Sequence, residues 1–339
     1  MGKKGSPVRI SLIENYISDY YLNYINNESI KKNSKRIAII GSGPAGITIA
    51  IMLRAKGYDV TIFEALDHMG GVLWYGIPEF RLPKSVLEKL KDKLVNMGVK
   101  IRPNTLIGSS ITIDDIFRDG YKAIFIGTGV WKPRALGIIG ETLGNVHYAI
   151  DYLKNPRVYN LGKRVCIVGA GNVAMDVART ALRNGSTDVN ILFREGSDNI
   201  EAEPIEVKYA KIDGVKFEFF KAPIEIVDEG VKYLRTELKE DEAGNKKIEY
   251  IKASEDIFEA DSVILAVGQG PRSNIVSNTI GINVNGVGLV EVDQFGRTTR
   301  KGVFASGDVV TGAKTVVEAV RVSKMVAQAI DEYVSSCCD

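Results

Sequence analysis

The chain holds 339 residues, 45% hydrophobic and 25% charged, with 44 Lys plus Arg against 42 Asp plus Glu for a formal net charge of +2. That length suits about two domains of roughly 150 residues with sizeable cores, and the balanced charge offers no basic field to a nucleic acid. Three cysteines (Cys166, Cys337, Cys338) and two histidines (His68, His147) exclude a disulfide framework, a four-cysteine iron–sulfur cluster and a multi-histidine metal centre. A cytoplasmic protein whose chemistry is carried by a bound cofactor, with no metal site, is expected.

In chain order, Met1 to Ser6 has two lysines but no apolar stretch behind them, so it is no signal peptide. Its match to a myristoylation pattern through Gly2 and Ser6 is too short to carry weight. Residues 1–34 read as a helical linker, with a helix over Ser11 to Tyr24 and a polar stretch at Asn26–Ser29. The longest uncharged run, Ile37 to Leu53, carries glycines and a proline and falls short of a bilayer span, so no membrane partner is expected. Lys35–Ile40 reads as a strand leading into Gly41-Ser42-Gly43-Pro44-Ala45-Gly46, an apolar helix to Leu53, and a second strand ending at Glu64. Ser85 to Met97 is an amphipathic helix with Leu87, Leu90, Leu94 and Met97 on one face. The strand pattern Ala123–Gly129 follows.

A second copy of the same unit then begins. Lys163–Val168 leads into Gly169-Ala170-Gly171-Asn172-Val173-Ala174, a helix to Leu182 and a strand to Arg194. The leading glycines, Gly41 and Gly169, lie 128 residues apart, a whole-domain spacing. Val215–Val227 and Lys232–Ile251 read as β-ribbon with a polar tip at 241–245. Ser262–Gly268 and Gly302–Gly307 are further strands ending in glycine, and Val316 to Tyr333 is a closing helix. The expected fold is α/β, with two nested, three-layer Rossmann-like domains. A first part of one domain covers 35–160, an inserted domain 161–267, and the remainder 268–339.

The glycines of the first turn have distinct tasks. Gly41 allows the tight turn, Gly43 lets the backbone approach a pyrophosphate, and Gly46 allows close helix–strand packing. The helix entered through Pro44 and Ala45 aims its free amides at phosphates, and Glu64 stands where a carboxylate accepts from an adenosine ribose. The second turn has Ala174 in the third place, and Phe193 where the acid would stand, followed by Arg194. A cation there suits a ribose 2′-phosphate, hence NADPH; the adjacent Glu195 opposes it and leaves NADH open. Arg297 to Asp308 resembles the TxxxxhhAxGD signature of FAD-dependent reductases. That resemblance assigns Asp308 to the FAD ribityl chain and the helix from Thr315 to the flavin ring. The first site therefore takes FAD (Gly41, Gly43, Pro44, Ala45, Gly46, Glu64, Gly129, Gly307, Asp308, Thr315). The second takes NAD(P)H (Gly169, Gly171, Asn172, Val173, Ala174, Arg194, Gly268).

Other conspicuous residues read as structural. His68 is a polar loop residue, and His147, Trp74, Tyr75 and Trp131 are packing or surface. Arg179 and Arg183 are solvated, and Cys166 is a small core residue. Hydride transfer between stacked rings needs no side-chain nucleophile, so no catalytic side chain is expected. The absence of a Cys-x-x-Cys excludes a dithiol relay.

Several longer strings carry a resemblance to the small (beta) subunits of NADPH-dependent glutamate synthases. They are Pro7-Val8-Arg9-Ile10 with Glu14 and Asp19-Tyr20, Gly70-Gly71 running through Gly76-Ile77-Pro78-Glu79-Phe80-Arg81-Leu82-Pro83-Lys84, Gly169 to Asp176, and Gly307 to Ala313. The resemblance implies an NADPH domain inserted into an FAD domain, with hydride passing from NADPH to FAD. Electrons would go onward through iron–sulfur clusters to a glutamine-dependent large subunit or another acceptor protein. It brings Gly70 and Gly71 close to the flavin, and Asn172 and Val173 to the nicotinamide-site turn. Two departures stand out. Six residues stand before Pro7 where a cysteine-rich cluster domain is usual, which leaves open whether that domain is lost, removed or on a separate chain. Arg194-Glu195 and Ile200-Glu201-Ala202 replace the usual Arg-Arg and Met-Pro-Ala. A large-subunit-like flavoprotein of a ferredoxin–NADP oxidoreductase and a non-catalytic nucleotide-binding docking module are the alternatives.

Overall fold

Five parallel strands make the first sheet, in the order Val303–Ala305, Tyr121–Ile126, Arg36–Ile40, Asp59–Phe63, Lys100–Arg102. The computed structural model describes residues 8, 10–24, 32–240 and 246–336. Pro7, Arg9, the 26–29 stretch, the 241–245 ribbon tip, Cys337 and Cys338, and the Met1–Ser6 segment lie outside those residues. Arg36–Ile40 sits mid-sheet and is apolar on both faces, the pattern of a strand covered on both sides. Ile37 and Ile39 join a core with Leu53, Phe125, Val326 and Ile330, while Ala38 and Ile40 face Ile124, Ile126, Ile275 and Val303. The first of these layers is built by the helices Pro44–Ala55 and Val316–Ser336, which pack on one another.

The second sheet is also parallel, in the order Val146–Tyr148, Ser262–Leu265, Arg164–Val168, Asp188–Phe193, Lys216–Phe219. One face packs on the helix Asn172–Arg183 through Val165, Ile167, Ala174 and Met175. The other packs through Cys166, Val168 and Leu192 on an antiparallel ribbon that supplies Ile226 and Val231. The α/β expectation of two nested dinucleotide-binding units is what the structure shows.

Two details differ from the sequence pattern. Val215–Val227 is not one ribbon strand. Lys216–Phe219 joins the parallel sheet, Phe220 turns the chain in a left-handed conformation at φ 56°, and Lys221–Val227 then pairs with Gly230–Glu240. The unbroken apolar alternation hid the turn, because Phe is an unusual residue for positive φ. The second sheet also draws its edge strand from Val146–Tyr148, upstream of the expected boundary at 161. Three residues, His147 among them, are too few to show the alternation of a strand, even with the turn residues Gly144-Asn145 directly before them. The two units are joined by a narrow crossing in which Lys132–Pro133 pairs antiparallel with Gln269–Gly270. No described helix is long and apolar enough to cross a membrane.

Candidate dinucleotide sites

The first glycine turn opens onto a cleft that is continuous with solvent. Ten residues expected at the FAD site line it: Gly41, Gly43, Pro44, Ala45, Glu64, Gly71, Gly129, Gly307, Asp308 and Thr315. Gly46 and Gly70 do not. Gly46 lies beneath the turn, where an added Cβ would stand 2.0 Å from the Gly41 carbonyl oxygen. Gly70 sits behind the lining, its amide donating to the Ser42 carbonyl (3.1 Å) and hydroxyl (3.2 Å). Gly41 has φ 99°, and a Cβ there would stand 2.5 Å from the Gly127 oxygen. A Cβ at Gly43 would instead meet nothing within 4 Å. The turn is therefore packed tight beneath and open above, the shape a pyrophosphate needs.

Glu64, at the end of its strand, is buried. Its Oε2 accepts from the Ser42 amide (2.9 Å) and hydroxyl (2.6 Å), and its Oε1 from the Leu66 amide (2.9 Å). Three of about four acceptor positions on the carboxylate are thus filled by the protein. One remains for a donor from a ligand. At the far end, the Asp308 carboxyl accepts, among the described residues, only the Lys314 amide at 3.2 Å, and burial pushes it above the ordinary range. Thr315 accepts the Glu318 amide and so caps the helix Val316–Ser336.

The helices after both glycine turns begin at glycines that supply no capping side chain, Gly43 and Gly171, leaving first-turn amides for a ligand. In the second unit, Gly169 is held against the Ala266 oxygen, 2.5 Å from where its Cβ would be. Ala174 is fully buried beneath the turn, and Asn172 accepts the Glu203 amide at 2.9 Å; Val173 packs beside that core. Arg194 lines a separate hollow with Glu195, Asn199, Lys247, Ile248 and Tyr250. Its side chain is 59% exposed and its Nε lies 3.7 Å from Glu195, whose other oxygen is held by Asn199 at 2.6 Å. Gly268 stands at the crossing between the units, its carbonyl accepting the Arg134 amide.

Sequence reasoning missed part of the cleft. Thr105, Leu106 and Ile107 line it, and so do Trp131, Ile150 and Lys154. Trp131 is therefore a wall of the cleft rather than a plain packing or surface residue. Ile150 and Lys154 lie on the helix Ala149–Lys154, directly after the edge strand of the second sheet. Arg179 is not solvated: it is 10% exposed and paired with Glu206 and Asp213, with Arg183 on the same Asp213. His68 stacks on Trp74 at 4.1 Å, and His147 meets Tyr159 edge-on, with its imidazole shifted toward the neutral form by burial. Cys166 is buried in the sheet, which pushes its thiol up to about 12. Among the described residues, no group of three or more His, Cys, Asp or Glu side chains is placed to hold a metal.

Comparison with known proteins bears on this geometry. The family described as pyridine nucleotide-disulphide oxidoreductase matches residues 35–323, with a second match over 11–116. The chain is 38% identical over 89% of its length to the NADP(+)-dependent formate dehydrogenase subunit beta of Moorella thermoacetica, of which it spans 44%. It is 34% identical over 96% of its length to the glutamate synthase [NADPH] small chain of Halomonas elongata, spanning 74% of that protein. Its fold is similar to FprA from Mycobacterium tuberculosis, with a TM-score of 0.75, 19% identity, and 90% and 85% of the two chains covered. The chain belongs to the pyridine nucleotide-disulphide oxidoreductases, in the branch that contains the glutamate synthase small chains.

Proposed function

We propose that this chain takes hydride from NADPH onto FAD and hands electrons to a partner protein, as the flavin module of a glutamate synthase-like complex in the cytoplasm. The observation that carries this reading is the shared wall. A helix of the second unit, through Ile150 and Lys154, lines the cleft formed by the first. Reacting atoms must come within roughly 3–3.5 Å, and a wall common to both units brings a nucleotide on the second turn toward a ring in the cleft. FAD, when bound, accepts a hydride and releases electrons one at a time. The remaining tasks fall to the chain. Gly41, Gly43 and the first-turn amides after Pro44 hold the pyrophosphate; Glu64 takes an adenosine hydroxyl; Asp308 takes a ribityl hydroxyl. Gly169, Gly171, Asn172, Val173 and Ala174 form the NADPH turn, and Arg194 meets the 2′-phosphate.

Anaerobic titration of the yellow protein tests this directly. NADPH should bleach the flavin absorbance; absence of bleaching by either NADPH or NADH refutes the reductase reading. Replacing Arg194 with Ala removes one charge-assisted contact and should lower the NADPH-over-NADH preference about tenfold. The similarity to a formate dehydrogenase subunit favours a second acceptor reading. Mixing the reduced protein with an iron–sulfur carrier, a glutamine-hydrolysing large subunit, glutamine and 2-oxoglutarate separates the two: only under the first is the flavin reoxidised with glutamate formed beyond that released by glutamine hydrolysis alone.

A further inference from the structure

The string Gly76 to Lys84 contributes no side chain to the flavin cleft, although Gly71 and Val72, a few residues earlier in the same stretch, line it. It is braced from within. The Pro78 carbonyl accepts the Arg81 and Leu82 amides at 3.0 and 3.1 Å, and Glu79 accepts the Lys84 amide at 3.2 Å. The Lys84 ammonium ties the Leu73 and Ile77 carbonyls. Phe80 and Arg81 thus project from a stiff turn, and they project onto the other unit.

Arg81 Nη1 donates to both oxygens of Asp176, at 2.7 and 2.6 Å, and Nη2 lies 2.8 Å from Glu206. Asp176 is one turn along the helix that starts at Asn172, and its side chain is 6% exposed. Glu206 also pairs with Arg179, and Asp213 with Arg179 and Arg183, so three guanidiniums meet three carboxylates in one network. The Phe80 ring lies beneath the Arg183 and Arg179 guanidiniums, at 4.0 and 4.7 Å. Domains within one chain move relative to each other unless their interface holds them, and the backbone link here is one pair of two-residue strands. Buried ion pairs add little net stability but are directional. Such a network at the root of the nucleotide-turn helix fixes orientation.

We infer that Arg81, with Phe80, is a positioning residue that latches the second glycine-turn helix in a set orientation to the flavin cleft. The inference rests on the reading that NADPH sits at that turn. A single stretch of chain then senses both sites, touching the flavin cleft at Gly71–Val72 and the nucleotide helix at Phe80–Arg81.

The test uses the full FAD-loaded chain with Arg81→Ala, Arg81→Lys and Glu206→Gln. Three readouts are taken: the limiting rate of flavin bleaching at saturating NADPH, the NADPH dissociation constant, and nucleotide-free deuterium uptake in 76–84 and 172–183. Arg81→Ala should slow the limiting rate about tenfold or more, a loss of about 1.4 kcal/mol in the barrier, while NADPH affinity stays within about threefold. Uptake should rise in both segments, with Arg81→Lys and Glu206→Gln intermediate in rate and uptake. Wild-type rate with unchanged uptake overturns the latch. So does a parallel loss of rate and affinity, or loss of FAD by all three variants, since each marks a structural pillar instead. Failure of the unmodified protein to bleach refutes the NADPH reading, and the uptake data still decide whether Arg81 holds the two segments together.

Discussion

Glu64 shows how one side chain can be prepared for a ligand before it arrives. Both of its oxygens accept from donors, two from Ser42 and one from Leu66. Replacing it with Gln turns one oxygen into a donor, so at least one of these amides or hydroxyls meets another donor in a buried site, costing about 1–3 kcal/mol. The expected result is FAD affinity reduced about tenfold or more, read from flavin content after purification and from calorimetric titration of the stripped protein. Affinity equal to that of the unmodified chain would refute the role. Asp176 gives a pH signature. Burial pushes its carboxyl up to about 6 from an ordinary 3.8, against the pull of Arg81. A carboxyl raised in the folded state binds its proton more tightly there than when unfolded. Its stabilising contribution is present below the unfolded value and is lost as pH rises through the folded one. The stability of the unmodified chain relative to Asp176→Asn should therefore fall as pH rises from about 4 to about 7, followed by calorimetric melting at each pH. A rising difference would contradict the assignment.

At the scale of elements, the two glycine turns are the same device at two tightnesses. A Cβ at Gly46 would collide with the Gly41 oxygen at 2.0 Å, yet the second copy carries a Cβ at that place, on Ala174, fully buried. Gly46→Ala must push helix from strand and should destabilise by about 1–3 kcal/mol, as overpacking does. It should lower the melting temperature and the flavin content together. Ala174→Gly should cost only the helix-propensity difference, about 1 kcal/mol, with flavin retained. These elements were legible in sequence because strand, glycine turn and helix are local patterns, each written within about a dozen residues. The Arg81–Asp176 pair was not, since its partners stand 95 positions apart and either residue alone reads as surface charge. Phe220 and the short Val146–Tyr148 strand escaped for the related reason that tertiary pairing, not local preference, sets them. Of the cleft, the glycine turn and the acid beside it could be read from spacing. The wall of Trp131, Ile150 and Lys154 could not, because it forms only when the second unit docks.

At the scale of the whole molecule, the crossing of Lys132–Pro133 with Gln269–Gly270 has a consequence for assembly. Where the chain leaves the first unit and where it returns are hydrogen-bonded neighbours, Pro133 opposite Gln269 and Lys132 opposite Gly270. To the first unit, the whole stretch 134–268 behaves as a loop whose ends already touch. The entropy of closing a loop grows only with the logarithm of its length, about 0.6 kcal/mol per doubling. The inserted stretch also offsets its own ordering through its own sheet and cores. The second unit should thus be removable as a cassette. Joining residue 133 to residue 269 through a short Gly/Ser bridge should leave a folded protein that still turns yellow with FAD, more weakly for want of Ile150 and Lys154, and that NADPH no longer bleaches. A chain that fails to fold after this excision would show that the two units depend on each other for folding.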